Sequence, residues 1–310
     1  HLPGSLWHYK TYRVLHDWSK MRKIIILIPV FNDWESLKKL INEINNCIKY
    51  EKNFTFECLI VNDASTVKST NLYKPSNFKS LKILNMKKNK GHARCNAFGL
   101  RYICKNEKFD YLILMDGDGE DRPIEVKSLL NKILQNSENS VVAKRVKRSE
   151  GFFFQFLYQM HKILTFIFTG KIINFGNYCC LTKKDAEILS EQASLWSSFS
   201  GTVKKNLQYL NEIDSIRGTR YFGPSKMSLF NLFVHSFSII AVFKYQVFLR
   251  SFLIIIVLYY LKLYLGIFSL FAQITIILFN FLILIVSLRE KKNELLSSQD
   301  NLKNIQNIIH

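Results

Sequence analysis

Between residue 21 and about residue 140, short apolar runs alternate with longer stretches in which apolar residues recur at helical spacing. The runs cover 24–30 (IIILIPV), 56–61 (FECLIV), 81–86 (LKILNM) and 111–115 (YLILM), and helices are expected over 33–48 and 91–104. Strand and helix in strict alternation predict an α/β fold with a mostly parallel sheet and helices on both faces. Ligands of such sheets sit beyond the carboxyl ends of the strands. Here those ends read PVFND, VNDAS and MDGDGED.

From 141 to 250 the pattern changes. Aromatic clusters (GFFFQFLYQM, ILTFIF, LFNLFVHSF) interleave with basic residues, which outnumber acidic ones 15 to 6. An ordinary basic domain would read this way, but so would amphipathic helices lying against anionic headgroups, the reading favoured here. Residues 266–288 then run for 23 positions without a formal charge, enough for a helix to cross a hydrocarbon core of ~30 Å. Residues 247–265 are also apolar and are read as a second span, with Arg250 and Lys262 snorkelling to its two ends. Lys226, Lys244 and Arg250 precede this hairpin, and Arg289, Lys291 and Lys292 follow it. That distribution puts both flanks, and the main domain, in the cytoplasm. The expected organisation is an extension (1–20), a catalytic-type domain (21–228), interfacial helices (229–246), a two-span hairpin (247–288) and a cytoplasmic tail (289–310) whose spaced Leu and Ile suggest a short helix.

Charge sharpens the picture. The 310 residues carry 43 Lys+Arg against 24 Asp+Glu, a net charge of +19, which favours anionic partners: a lipid bilayer, phosphorylated substrates or nucleic acid. No nucleic-acid-binding module accompanies the charge, so nucleic acid is not an expected partner. The six cysteines form no CxxC pair and have no histidine cluster beside them. They read as reduced thiols, not a zinc site.

The strongest chemical signal is YLILMDGDGEDRP. An apolar strand delivers Asp116 and Asp118, with Glu120 and Asp121 just beyond. Four carboxylates in six residues repel one another. A hard divalent cation, Mn²⁺ or Mg²⁺, would relieve them and bridge to a substrate diphosphate; the competing reading is a solvated acidic turn. In LIVNDAS, Asp63 is placed to meet a base or ribose, although a helix N-cap is the better reading of that segment alone. In IPVFND, Pro29 is expected to end the ladder and Asp33 to cap the next helix. In KKNKGHARC, Gly91 allows close backbone approach, the following helix N-terminus attracts anions, and Lys90 and Arg94 add positive charge.

Taken in order, PVFND, VNDAS, NKGHARCNAFGL and DGDGEDRP resemble the GT-A domain of family 2 glycosyltransferases. More narrowly they are similar to the polyprenyl-phosphate glycosyltransferases, which include dolichol-phosphate mannose synthases. AKRVKRSEGFF resembles that group's Arg-containing strand end, and RYFGPSK fits its R-x-x-G-x-S-K pattern. The resemblance extends over roughly 23–288. It implies that Pro29, Phe31, Asp33, Asp63, Gly91 and Arg94 line the nucleotide-sugar site. Asp116 and Asp118 would hold the metal and, through it, the donor diphosphate, with Glu120 as a further ligand where the family usually has Gln. Arg145 and Arg148 would meet the acceptor phosphate, and Arg220, Ser225 and Lys226 would bind it too, closing over the phosphates. Asn62, Ala64 and Val67 depart from the usual DDGS-type motif, which bears on the choice of nucleotide more than on the reaction.

The implied activity is inverting, metal-dependent transfer from a UDP- or GDP-sugar to a polyprenyl phosphate at the cytoplasmic membrane face, with Asp118 and Arg145 as catalytic residues. The alternatives are a family 2 enzyme acting on a sugar or lipid-linked glycan, a nucleotidyltransferase, and a non-catalytic membrane protein that binds nucleotide-sugar or lipid. A homo-oligomer is compatible with each.

Overall fold

The computed structural model describes residues 21–69, 71–147, 152–224 and 228–309. The extension 1–20 and the candidate residues Arg148, Ser225 and Lys226 lie outside them.

The expected alternation is present: β1 (Arg22–Val30), α1 (Trp34–Ile48), β2 (Phe54–Asn62), β3 (Phe78–Met86), α2 (His92–Asn106) and β4 (Tyr111–Leu114). After α3 (Glu125–Gln135) come β5 (Val141–Lys147), α4 (Phe152–Thr169), β6 (Phe175–Thr182), α5 (Lys183–Ser190), α6 (Phe199–Asn206) and β7 (Asn211–Ile216). All eight described strands, including β8 (Leu302–Asn307), join one sheet in the order β7-β5-β6-β4-β1-β2-β3-β8. The central strands β4, β1, β2 and β3 are parallel, while β6 and β8 run antiparallel to their neighbours β4 and β3.

The sheet is buried on both faces, and β1 shows why. Ile24, Ile26 and Ile28 pack on one side with Leu37, Leu40, Ile41 and Ile44 of α1 and Leu129 and Ile133 of α3. Ile25 and Leu27 point the other way, into a cluster with Phe98, Leu100 and Ile103 of α2. Period-2 side chains from one strand therefore serve two helical layers, each buried Ile or Leu contributing roughly 1.5–3 kcal/mol. Leu27→Ala would cost about 2–5 kcal/mol by opening a cavity. Pro29 does not end the β1–β2 ladder, which continues through Pro29↔Val61 to Val30↔Asn62. Met115 donates to the Leu27 carbonyl and Asp63 to that of Val30, so Pro29 faces the β4 side beyond the last pair, where a missing N–H breaks no ladder bond.

The later helices are α7 (Leu229–Ala241), α8 (Lys244–Tyr260), the single turn α9 (Lys262–Leu265), α10 (Ile267–Ser287) and α11 (Lys292–Leu296). α10 is long and apolar enough to cross a membrane; α7 and α8 pass the same test only as a pair, bent by 85°. α8 and α10 form a helical hairpin. At its turn Ser269 Oγ donates to Leu258 O (2.6 Å), and at its open end Lys244 meets Glu290 (3.0 Å). Its outer surface stays apolar and exposed: Leu263 is 87% and Phe268 77% accessible. The tail after residue 290 is only briefly helical. It returns as β8, antiparallel to β3, a short polar edge strand whose Leu and Ile spacing gives no period-2 signal.

Candidate active site

The carboxyl ends of β1, β2 and β4 carry three loops, and the structure ties them together. Asn32, at φ 53°, follows β1 and accepts from the N–H groups of Thr66 (2.8 Å) and Val67 (3.0 Å), while its own N–H donates to Ser65 Oγ (2.9 Å). Asn tolerates this left-handed backbone better than most residues. Phe31, beside it, is exposed at the strand end. Asp63 caps no helix. It is buried, and its two oxygens accept from the N–H groups of Lys90 (2.7 Å) and Gly91 (2.8 Å). Gly91, at φ 89°, then turns the chain into α2. Arg94, in the first turn of α2, stacks 5.7 Å from the Trp196 ring.

β4 ends at Leu114, and the acidic loop follows. The register pairing Leu114 with Cys179 leaves Asn177 opposite Asp116, two residues past the last pair. Asn177 Nδ2 donates to Asp116 Oδ1 (3.2 Å), and His92 Nε2 lies 3.1 Å from the same oxygen. The Asp116 N–H donates to Asp121 Oδ2 (2.9 Å). Arg145, near the end of β5, lays its guanidinium over Gly176, where any Cβ would come within 2.6 Å of Nη2. Burial opposes ionisation of Asp116, but His92, Arg145 and Asn177 outweigh it and hold the carboxyl well below the usual range. Asp118 is pushed the other way, to about 6, by burial and by Asp116 and Glu120. Asp121 goes to about 8 through burial and the charge on Asp116.

The segment after β7 closes over this loop. Arg220 pairs with Asp118 (2.8 Å) and with Asp33, and Arg217 pairs with Glu120. Tyr221 donates its N–H to Asp118 O (3.0 Å) and its hydroxyl to Glu43 (2.5 Å) on α1, and its ring lies on Gly119, which leaves no room there for a Cβ. Asp33 occupies the N-cap position of α1 but makes no side-chain cap bond, because its carboxylate is held by Arg220.

Asp33, Asp116, Asp118, Glu120, Arg145 and Arg220 therefore meet at one end of the sheet, flanked by Asp63, Gly91 and Phe31. Arg94 turns aside. Sequence reasoning missed His92, Asn177, Arg217, Tyr221 and Asn32. His92 sits inside a segment already singled out, next to Gly91, while Asn177 becomes visible only through the β4–β6 register. Among the described residues no three histidine, cysteine or carboxylate groups converge as a ready-made cation cage.

The sequence matches the family described as Glycosyl transferase family 2 over residues 25–189. The chain is 24% identical over 220 residues to the undecaprenyl-phosphate 4-deoxy-4-formamido-L-arabinose transferase of Yersinia pestis, covering 68% of this chain and 64% of that one. It is 22% identical over 125 residues to an uncharacterised protein of Methanocaldococcus jannaschii, covering 39% and 52%. The chain thus spans about half to just under two thirds of the length of these curated relatives. Among solved structures it is similar to glucosyl-3-phosphoglycerate synthase from Mycobacterium tuberculosis in complex with Mn²⁺, UDP-glucose and phosphoglyceric acid (TM-score 0.52, 13% identity, 80% of this chain and 86% of that one). Mannosyl-3-phosphoglycerate synthase from Rubrobacter xylanophilus shares the fold as well (TM-score 0.51, 12% identity, 71% and 72%). The family match spans more than half of the chain, from β1 through the acidic strand end to α5, and on that ground the chain belongs to glycosyl transferase family 2.

Proposed function

We propose that this chain is a glycosyltransferase that moves a sugar from a UDP- or GDP-sugar to a polyprenyl phosphate at a membrane surface. The observation that carries the acceptor class is the placement of α4. It connects the end of β5, which bears Arg145, to the start of β6, which bears Asn177, and so lies at the acidic end of the sheet. There α4 packs on the apolar hairpin: Phe168 stacks on Phe279 of α10 with ring centroids 4.5 Å apart, and Arg250 of α8 donates to Ile167 O (3.2 Å). A lipid held along the hairpin would present its phosphate to Arg145. The undecaprenyl-phosphate transferases among the relatives support the same acceptor class.

The donor set suits a divalent cation. Asp118 and Asp121 are raised by burial and by crowded negative charge, and Asp116 has Oδ2 left over once Oδ1 is taken by His92 and Asn177. Mg²⁺-type sites use one or two carboxylates plus substrate phosphates, not an all-protein cage, so Asp116 and Asp118 suffice as protein ligands. Glu120 joins them only when Arg217 releases it. The Mn²⁺ in the mycobacterial synthase complex is in keeping with this. When bound, such a cation would offset charge on the leaving diphosphate.

The chain's own residues do the rest. Arg220 leaves Asp33 and Asp118 and takes the donor diphosphate, its planar fork suiting phosphate oxygens. Asp63 acts on the nucleotide through the Lys90–Gly91 loop that it holds. Arg145 aligns the acceptor phosphate. One of its oxygens attacks the anomeric carbon, the bond from that carbon to the diphosphate breaks, and nucleoside diphosphate departs with inversion. The nucleophile is anionic at neutral pH, so positioning and charge stabilisation replace a strong base. The hairpin crosses the membrane twice, with the catalytic domain on the cytoplasmic side. The test offers purified protein undecaprenyl phosphate alongside free sugars and lipid-linked glycans. Label transferred to the lipid phosphate supports the reading; label transferred only to sugars or glycans replaces it with the glycan-acceptor alternative.

A further inference from the structure

The position usually held by the first Asp of a DDGS-type motif is Asn62, and its amide belongs to a relay. Asn85 Nδ2 donates to Asn304 Oδ1 (2.8 Å), Asn62 Nδ2 donates to Asn85 Oδ1 (2.8 Å), the Ser65 N–H donates to Asn62 Oδ1 (3.0 Å), and the Asn32 N–H donates to Ser65 Oγ (2.9 Å). Asn85 and Asn62 each use the amide nitrogen as donor and the oxygen as acceptor, and Asn304 accepts at the end, so the relay has one direction. It starts on β8, crosses β3 and β2, and ends in the loops after β2 and β1. An Asp at 62 would keep the relay only if the Asn85 and Asn304 amides both flipped.

The same C-terminal segment reaches the third loop by a second route. Asn301 accepts from the Lys88 N–H (3.1 Å) and donates to Lys88 O (2.9 Å), while the Lys87 N–H donates to Asn301 O (2.7 Å). Directly after them, Asn89, Lys90 and Gly91 bond to Asp63. The loops after β1, β2 and β3 are thereby buttressed from a segment that follows α11.

We propose that the segment Asn301 to Asn307 is a positioning element of the donor site, acting through the Asn304–Asn85–Asn62 relay and the Asn301 clamp. This rests on the reading of those loops as the nucleotide-sugar site. Asn62 and Asn304 touch no reacting atom; they set where Ser65, Asn32 and the Lys90–Gly91 loop stand. The polarity of the relay gives the test. Asn304 only accepts, so Asn304→Asp keeps the bond and Asn304→Ala loses it. Asn62 both donates to Asn85 and accepts from Ser65, so Asn62→Ala loses both bonds.

The experiment titrates UDP and GDP, each with Mn²⁺, into the detergent-solubilised full chain, and follows donor KM, kcat and melting temperature in parallel. Asn304→Ala and Asn62→Ala are expected to raise the nucleotide Kd and donor KM about three- to tenfold, the share of one or two hydrogen bonds, with kcat at saturating donor within about twofold. Asn304→Asp is expected to keep the wild-type Kd. An unchanged Kd in a folded Asn304→Ala variant overturns the proposal, and so does an equal loss in Asn304→Asp and Asn304→Ala. If Asn62→Ala does not fold, the Asn304 pair, at an exposed position, still decides. A wild-type chain that binds neither nucleotide overturns the donor-site reading itself, and the proposal with it.

Discussion

Arg220→Ala is the most informative single change, because its two effects should have opposite sign. The guanidinium is 15% exposed and bridges Asp118 and Asp33, whose side chains are 19% and 17% exposed. Charge-assisted bonds of this kind are worth about 1.5–3 kcal/mol each. Before donor arrives, a cation reaching Asp118 must displace one of them, a penalty of roughly ten- to a hundredfold in Kd. Removing Arg220 lifts that penalty, so Mn²⁺ should bind the donor-free protein about tenfold more tightly or better. The titration belongs at pH 8, where Asp118, with a pKa of about 6, is ionised. In turnover the same guanidinium is needed on the diphosphate, so kcat/KM for the donor should fall about ten- to a hundredfold. Stability should change little: freed from Arg220, Asp33 can cap the first turn of α1, worth about 1 kcal/mol. Calorimetric or paramagnetic Mn²⁺ titration together with steady-state kinetics reads both quantities. Mn²⁺ affinity that weakens together with turnover would refute the idea that Arg220 trades places with the cation.

Asp118→Asn deletes one charged ligand and should lower turnover at least about tenfold with an unchanged melting temperature; near-normal, still metal-dependent rates would remove Asp118 from the site. Arg145→Ala should raise the KM for lipid phosphate or lower kcat by about ten- to a hundredfold while nucleotide Kd holds; a variant impaired only in donor binding would place the acceptor elsewhere. A proton on Asp118 competes with the cation, so donor-free Mn²⁺ affinity should weaken as pH falls through about 6, by about tenfold per pH unit below it; affinity independent of pH from 5 to 8 would contradict Asp118 as a ligand. Cysteines introduced at Leu263, in the hairpin turn, and at Ser297, after its open end, should react with impermeant reagents from opposite sides of sealed vesicles, Ser297 from the catalytic side; labelling of both from one side would rule out a double crossing.

The first half of the fold was legible because each element carries its own period. The apolar runs at 24–30 and 111–115 match β1 and β4 to within two residues, and the 33–48 periodicity became α1 with Asp33 at the N-cap position. The acidic strand end and Arg145 were visible as residue types at strand termini. What could not be read was held by partners distant in sequence. β8 is a polar edge strand that exists because β3 offers an unpaired edge. Asp63 looks like a cap in its segment but is consumed by backbone N–H groups 27 and 28 residues on. The pairing of Asp33 with Arg220 spans 187 residues, and no local pattern announces it. Asn62 read as a defect in a motif; beside Asn85 and Asn304 it is a link in an amide relay.

The central claim is transfer of a sugar to a lipid phosphate, and the products identify it most directly. Purified chain in detergent, given undecaprenyl phosphate, Mn²⁺ and a panel of UDP- and GDP-sugars, is analysed by mass spectrometry of the lipid together with chromatography of the nucleotide. The account predicts one lipid species heavier than undecaprenyl phosphate by a single dehydrated sugar, formed in step with nucleoside diphosphate. Nucleoside monophosphate with a pyrophosphate-linked lipid, or donor consumed with the lipid mass unchanged, would contradict it.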